Sequence, residues 1–103
     1  MIFDLHCHTT HSDGALTPPE LVARAAAMGV DLLSITDHDT LGAWPAARRA
    51  AAALPAAPRL VPGIEFSTQW ETMGVHVLGL NVDPGSDAME TGVHVQSEAR
   101  LER

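Results

Sequence analysis

VDLLSITDHDT, residues 30–40, is the stretch on which the reading of this chain turns. Val30 to Thr36 form a mostly apolar run of strand length, the pattern of a strand covered on both faces. The run stops at Asp37-His38-Asp39-Thr40, where two acids flank one imidazole. In sheets and barrels of parallel strands, ligands bind beyond the carboxyl ends. A strand that delivers His38 to that end is a fold signal and a chemical signal at once.

On the N-terminal side, residues 17–29 read as a helix. Thr17 is a natural N-cap, Pro18 suits the first helical position, and Glu20 completes a capping box. Leu21, Val22, Ala25 and Met28 lie at helical spacing, and Gly29 is placed as the stop. Before it, Ile2 to Leu5 reads as a short strand running into the polar loop HCHTTHSDGAL, residues 6–16.

On the C-terminal side, an alanine-rich helix is expected over 43–54, ending before Pro55. RLVPGIEFS (59–67) reads as a third strand with a Pro62-Gly63 kink, TQWETMG (68–74) as a turn, and VHVLGL (75–80) as a fourth strand. A helix from about residue 86 is still running at Arg103, with no stop signal. The order βαβαβ, turn, β, α predicts an α/β domain with parallel strands and right-handed crossovers. These elements neither close a barrel nor finish a sheet. The expectation is therefore that residues 1–103 form the N-terminal portion of a single domain.

Composition narrows the function classes. With 46% hydrophobic and 18% charged residues in 103, the chain reads as one small globular domain. The net charge of −7 at pH 7, with arginine as the only cation type, argues against an extended nucleic-acid surface or an anionic membrane face. Asp4, Asp13, Asp37, Asp39 and Glu65 lie in the motif segments, where bound divalent cations would offset their charge. Cys7 is the only cysteine, which excludes an internal disulfide and favours a reducing compartment. The start lacks the regions of a signal peptide, and no apolar stretch reaches membrane-span length. A cytoplasmic protein is expected.

The candidate site grows from spacing. His6 and His8 stand two apart in extended chain, so both side chains leave on one side. Asp13 follows with a hard oxygen ligand. Glu65 sits between Ile64 and Phe66, in an apolar run where a carboxylate is costly unless paired or bound to a cation. His76 follows Glu65 too closely for a helical crossover, so a hairpin is predicted to return it to the same edge. Nitrogen and oxygen donors without thiolate suit manganese first, then zinc or iron, with magnesium less well matched.

Other residues carry weaker signals. His11 is a ligand or substrate candidate on a loop where solvation serves equally well. Asp4 and Asp37 are candidates for orienting ligand imidazoles, Asp37 also for contacting substrate. Cys7 alternates away from His6 and His8 and reads as a core residue. His94 reads as solvated, and Trp44 and Trp70 as packing residues. Ser12, Ser34 and Ser67 lack the elbow glycines or base partner of a nucleophile. The expected nucleophile is instead a metal-bound hydroxide.

DLHCHTTHSDG, SITDHDT, GIEFS and VHVLGL, in that order, closely resemble the opening motifs of the polymerase and histidinol phosphatase (PHP) family. The resemblance runs from Ile2 into the last helix. It implies the N-terminal part of a distorted seven-stranded β/α barrel, with His6, His8, Asp13, His38, Glu65 and His76 as ligands of a site for two or three metal ions. The wording GALTP and TDHDT looks most like the stand-alone bacterial phosphoesterases, which hydrolyse nucleoside 3′,5′-bisphosphates and short RNA 5′ ends. The family completes its site with later histidine and aspartate motifs that this sequence does not contain. The implied partner is a small phosphorylated substrate, a nucleotide or a short RNA end. The competing readings are histidinol-phosphate hydrolysis, a polymerase-associated exonuclease, a hydrolase of non-phosphate bonds, and a non-catalytic metal-binding module or inactive fragment.

Overall fold

Helix α1 (Pro18–Ala27) begins and ends where its local chemistry dictates. The Thr17 hydroxyl accepts the Glu20 N–H at 3.3 Å, while Glu20 Oε1 accepts the Thr17 N–H at 3.1 Å, closing the capping box. At the other end Gly29 takes φ +76°. Its N–H donates to Ala26 O, and that of Val30 donates to Ala25 O, the paired bonds of a Schellman stop. The chain is thereby turned back along strand β1 (Phe3–Cys7) and into strand β2 (Leu32–Ile35). The structure is a computed structural model that describes residues 1–101, with the side chains of Trp70, Arg100 and Leu101 outside that description.

β1 and β2 pair in parallel, with Phe3 opposite Leu32 and Cys7 opposite Ile35. Helix α2 (Trp44–Ala52) leads to a two-residue strand β3 (Arg59–Leu60), which pairs in parallel on the far side of β2. The sheet order is therefore β1-β2-β3. Val22 and Ala25 of α1, Leu33 of β2 and Ala47 of α2 form one buried cluster, so both helices cover the same face. Ile35 and Cys7 pack against that cluster. Alternation along the strands then turns Ser34, Thr36, His6 and His8 to the opposite face.

The expected third strand is two strands. Pro62 has no N–H to continue the ladder, and the chain leaves β3 to begin β4 (Gly63–Trp70). β4 pairs in antiparallel register with β5 (Met73–Leu80), from Gly63↔Leu80 to Trp70↔Met73. The hairpin is present, but its turn is only Glu71-Thr72, with Glu71 at φ +56°. Thr68, Gln69, Trp70, Met73 and Gly74, expected in the turn, belong to strands, and the Thr68 hydroxyl donates to Val75 O at 2.9 Å. Smaller corrections follow the same logic. His6 lies on β1 rather than in a loop, and α2 is shorter than the expected 43–54: Ala43 is its N-cap, and the N–H groups of Ala53 and Leu54 donate to Ala50 O and Ala51 O in a tightened last turn. Helix α3 (Asp87–Leu101) starts where Ser86 Oγ accepts the Met89 N–H.

β4 joins the parallel layer through one parallel bridge beyond the end of β2. Glu65 N–H donates to Asp37 O at 3.1 Å, and Asp39 N–H donates to Glu65 O at 3.0 Å. Gly63 makes that approach possible. A β-carbon there would stand 2.3 Å from Ser34 Oγ and 2.8 Å from Thr36 Cγ2. Gly63→Ala is expected to cost about 1–3 kcal/mol through overpacking, read as a lower unfolding midpoint in urea. An unchanged midpoint would show that β4 does not need this close contact.

Candidate metal centre

Glu65 is the third residue of β4 rather than near a strand end, and it is only 3% exposed. Its neighbour Ile64 is fully buried. Glu65 and Ser67 share the other strand face, and His76 of β5 stands opposite Ser67. His76 is therefore the diagonal neighbour of Glu65 rather than its direct partner, still within side-chain reach.

The ends of β1 and β2 bring their histidines to the same carboxylate. His6 Nε2 and His8 Nε2 each lie 2.8 Å from Glu65 Oε1. On the other oxygen, His76 Nδ1 lies 2.5 Å from Oε2 and His38 Nδ1 3.9 Å from it. Asp13 closes the arrangement, with Oδ1 at 2.6 Å from His8 Nδ1 and Oδ2 at 3.2 Å from His38 Nε2. All six side chains expected as ligands are thus brought together. The inner rings stack edge to face, His8 on His38 at 4.4 Å between centroids and His38 on His76 at 5.1 Å.

Asp37 does something other than orient an imidazole. Its buried carboxylate accepts the Thr9 N–H at 2.6 Å, the Thr9 hydroxyl at 2.7 Å and the Ser12 hydroxyl at 2.8 Å. It clamps the loop that carries Asp13, which positions one donor through the backbone. Asp4 is exposed, and among the described residues it accepts the His6 N–H, at 3.3 Å, rather than an imidazole N–H. His11 is exposed on the rim of an open cleft shared with Asp13, His38 and Thr40.

Asp39 is the residue that sequence reasoning left without a role. It is 2% exposed, adopts φ +54°, and its Oδ1 accepts the Ser67 N–H at 2.9 Å. The tolerance of aspartate for left-handed backbone is the one local signal that marks it. Cys7 donates to Ser34 O, and burial, then the charges of Asp4 and Asp37, push its thiol up to about 12. It packs against the core with its thiol bonded to Ser34 O, and it belongs to none of the donor groups among the described residues. His94 is exposed on α3, where it pairs with Glu98. Trp44 is half-buried beneath the Arg48 guanidinium, and the side chain of Trp70 lies outside the described residues.

The charges around Glu65 oppose one another. Burial raises its pKa, but the bonds from His6, His8 and His76 and the charge of His38 outweigh burial and hold it at about 2. For His8, burial lowers the pKa, and the bonds to Glu65 and Asp13 overcome that and raise it. Asp13 is lowered, because its slight desolvation yields to its bond to His8 and the charges of His8 and His38. The cluster is an anionic centre that demands positive charge. Three overlapping donor groups meet that description: His6, His8 and Glu65; His8, Asp13 and His38; and His38, Glu65 and His76, each with ligand atoms within 4.8 Å. Donors around a four-coordinate ion with bonds of about 2.0–2.2 Å stand about 3.3–3.6 Å apart. The donor types suit a divalent cation, and the contacts of 2.5–2.8 Å would open by several tenths of an ångström to hold one.

Without metal, protons play the cation's part, and the two shifts act in opposite directions. Glu65 is depressed, so its stabilisation is present above its ordinary 4.5 and lost as pH falls toward 2. His8 is raised, so its stabilisation is present below 6.5 and lost as pH climbs past its folded value. The metal-free chain should therefore have its highest thermal midpoint between about pH 4.5 and 6.5. Glu65→Gln should flatten the acid limb. An acid limb of the same steepness in that variant would contradict the assignment.

Comparison with known proteins agrees with this geometry. A family model, the PHP domain, matches residues 4–99. Along its whole length the chain is 50% identical to the 5′-3′ exoribonuclease Rnm of Salmonella typhimurium, of which it covers 35%. It is 46% identical to the 3′,5′-nucleoside bisphosphate phosphatase of Chromobacterium violaceum, 97% of this chain matching 34% of that protein. A crystal structure of an amidohydrolase from Chromobacterium violaceum, with bound sulfate and no metal, superposes with a TM-score of 0.88 at 42% identity, over 99% of this chain and 35% of that one. One from Bifidobacterium adolescentis, named for metal-dependent phosphoesterase activity, gives 0.86 at 35% identity, over 98% of this chain and 35% of that one. The chain thus spans about a third of the relatives it matches. With the matched region enclosing every side chain of the cluster, the chain belongs to the PHP domain family.

Proposed function

We propose that this chain carries the N-terminal ligands of a divalent-metal-dependent phosphoesterase acting on nucleoside 3′,5′-bisphosphates or short RNA 5′ ends. The observation that carries this reading is the buried Glu65 carboxylate, touched by His6 and His8 from β1 and its end and by His76 from β5, with His38 from beyond β2 at 3.9 Å. His6, His8, Asp13, His38, Glu65 and His76 would hold the ions, with manganese first, then zinc or iron, ahead of magnesium. Bound there, the ions supply Lewis-acid activation of water and of phosphoryl oxygens, so no side-chain nucleophile is required. Asp37 keeps Asp13 in place, and His11 on the cleft rim is positioned to donate to a substrate phosphate. Among the described residues no arginine is paired within the cluster, so the substrate's charge would be met by the ions or by groups outside this part of the protein.

The same reading makes residues 1–103 part of one distorted β/α barrel domain. Two features support it: both helices lie on one face of the sheet, and Phe3, Val77 and Leu80 stay exposed along the strands. No helix among the described residues is long and apolar enough to cross a membrane. A cytoplasmic setting suits the lone, half-buried thiol.

His8 belongs to two of the three donor groups. In the full chain, His8→Ala is expected to lose bound metal by elemental analysis and to lower hydrolysis of a nucleoside 3′,5′-bisphosphate at least about 100-fold, beyond the cost of losing an outer partner. Unchanged metal content would remove His8 from the ligands. Activity on a carboxamide with none on phosphate esters would instead favour the amidohydrolase name borne by one structural relative.

A further inference from the structure

His38 is the most enclosed of the four clustered imidazoles, with its side chain 9% exposed, and its two ring nitrogens face different company. Nε2 lies 3.2 Å from Asp13 Oδ2. Nδ1 lies 3.1 Å from the Ser67 hydroxyl and 3.9 Å from Glu65 Oε2. A neutral imidazole offers one lone pair, and the bond made by the other nitrogen decides which.

Ser67 is itself held. It is 7% exposed, and its N–H donates to Asp39 Oδ1 at 2.9 Å. Asp39 sits in left-handed backbone, which aspartate tolerates better than most residues. The surroundings are specific: its N–H donates to Glu65 O at 3.0 Å, and its carbonyl accepts the Ser97 hydroxyl at 3.2 Å. The result is a closed circuit. Asp39 follows His38 in the chain, reaches across to β4, and fixes the residue whose hydroxyl returns to the His38 ring.

We propose that Ser67, set in place by Asp39, is a positioning residue that keeps the His38 proton on Nδ1 and presents the Nε2 lone pair toward Asp13. This rests on the reading of His38 as a metal ligand. With the proton on Nδ1, that N–H donates to Ser67 Oγ, with Glu65 Oε2 at 3.9 Å on the same side; Asp13 Oδ2, 3.2 Å from Nε2, draws a proton the other way until a cation between Nε2 and Asp13 takes its place. Nε2 and Asp13 Oδ2 then form a nitrogen–oxygen pair open to one cation. With the proton on Nε2, the ring would show Asp13 an N–H, and the His8, Asp13 and His38 group would lose a donor.

The test uses the zinc-loaded full chain with 15N-labelled histidine. Long-range 1H–15N spectra of the wild type should show the His38 proton on Nδ1 and a zinc-induced shift at Nε2. Ser67→Ala should mix the tautomers and weaken zinc affinity about 10–100-fold. Ser67→Thr, which keeps the hydroxyl, should restore both, whereas a purely structural role for Ser67 would move the melting temperature and leave the tautomer alone. Zinc bound through Nδ1, or a Ser67→Ala variant with wild-type tautomer and affinity, would overturn the proposal. The wild-type spectrum decides even if Ser67→Ala does not fold. A chain that binds no zinc overturns the metal-centre reading and this proposal with it, whereas zinc on Nδ1 overturns only the role of Ser67.

Discussion

A buried carboxylate surrounded by imidazoles organises this structure. Glu65 is 3% exposed, and a charge so enclosed is tolerated only when positive partners and hydrogen bonds meet it. Each partner comes from a different place: His6 and His8 from the end of β1, His38 from beyond β2, His76 from β5. Bringing them to one point requires parallel strands that share a carboxyl edge, then a hairpin that reverses direction. The fold is the set of connections that satisfies that requirement.

The two aspartates beside His38 show how the requirement is enforced. Asp37 gathers Thr9 and Ser12 and so sets the loop of Asp13, while Asp39 reaches β4 and sets Ser67. One short motif at the end of β2 thereby positions donors on two other segments, the loop of residues 9–13 and β4. Asp37 holds backbone and hydroxyl donors and Asp39 holds the Ser67 N–H, while Glu65 and Asp13 meet the imidazole nitrogens of the cluster.

Much of this is legible in the sequence, for reasons that differ by residue. The limits of α1 follow from Thr17, Glu20 and Gly29 because capping is chemistry among near neighbours. The hairpin follows from the short spacing between Glu65 and His76, since chain length alone rules out a crossover. The split of 59–67 into β3 and β4 is less legible: Pro62 signals a break, but only tertiary pairing decides that the chain then takes a new partner strand. The register that puts His76 opposite Ser67 depends on the tight Glu71-Thr72 turn, which its residue types do not announce. Asp39 is least legible, because its left-handed backbone is imposed by bonds to Glu65, Ser67 and Ser97, all distant in sequence.

The account stands or falls on where cations sit relative to Glu65. Anomalous diffraction at the manganese edge, from crystals of the full chain grown with manganese, measures this directly. Our reading predicts manganese peaks within bonding distance of Glu65, flanked by His6 and His8 on one carboxylate oxygen and by His76 on the other. Manganese bound elsewhere, with the Glu65 carboxylate still paired only to protonated imidazoles, would contradict it.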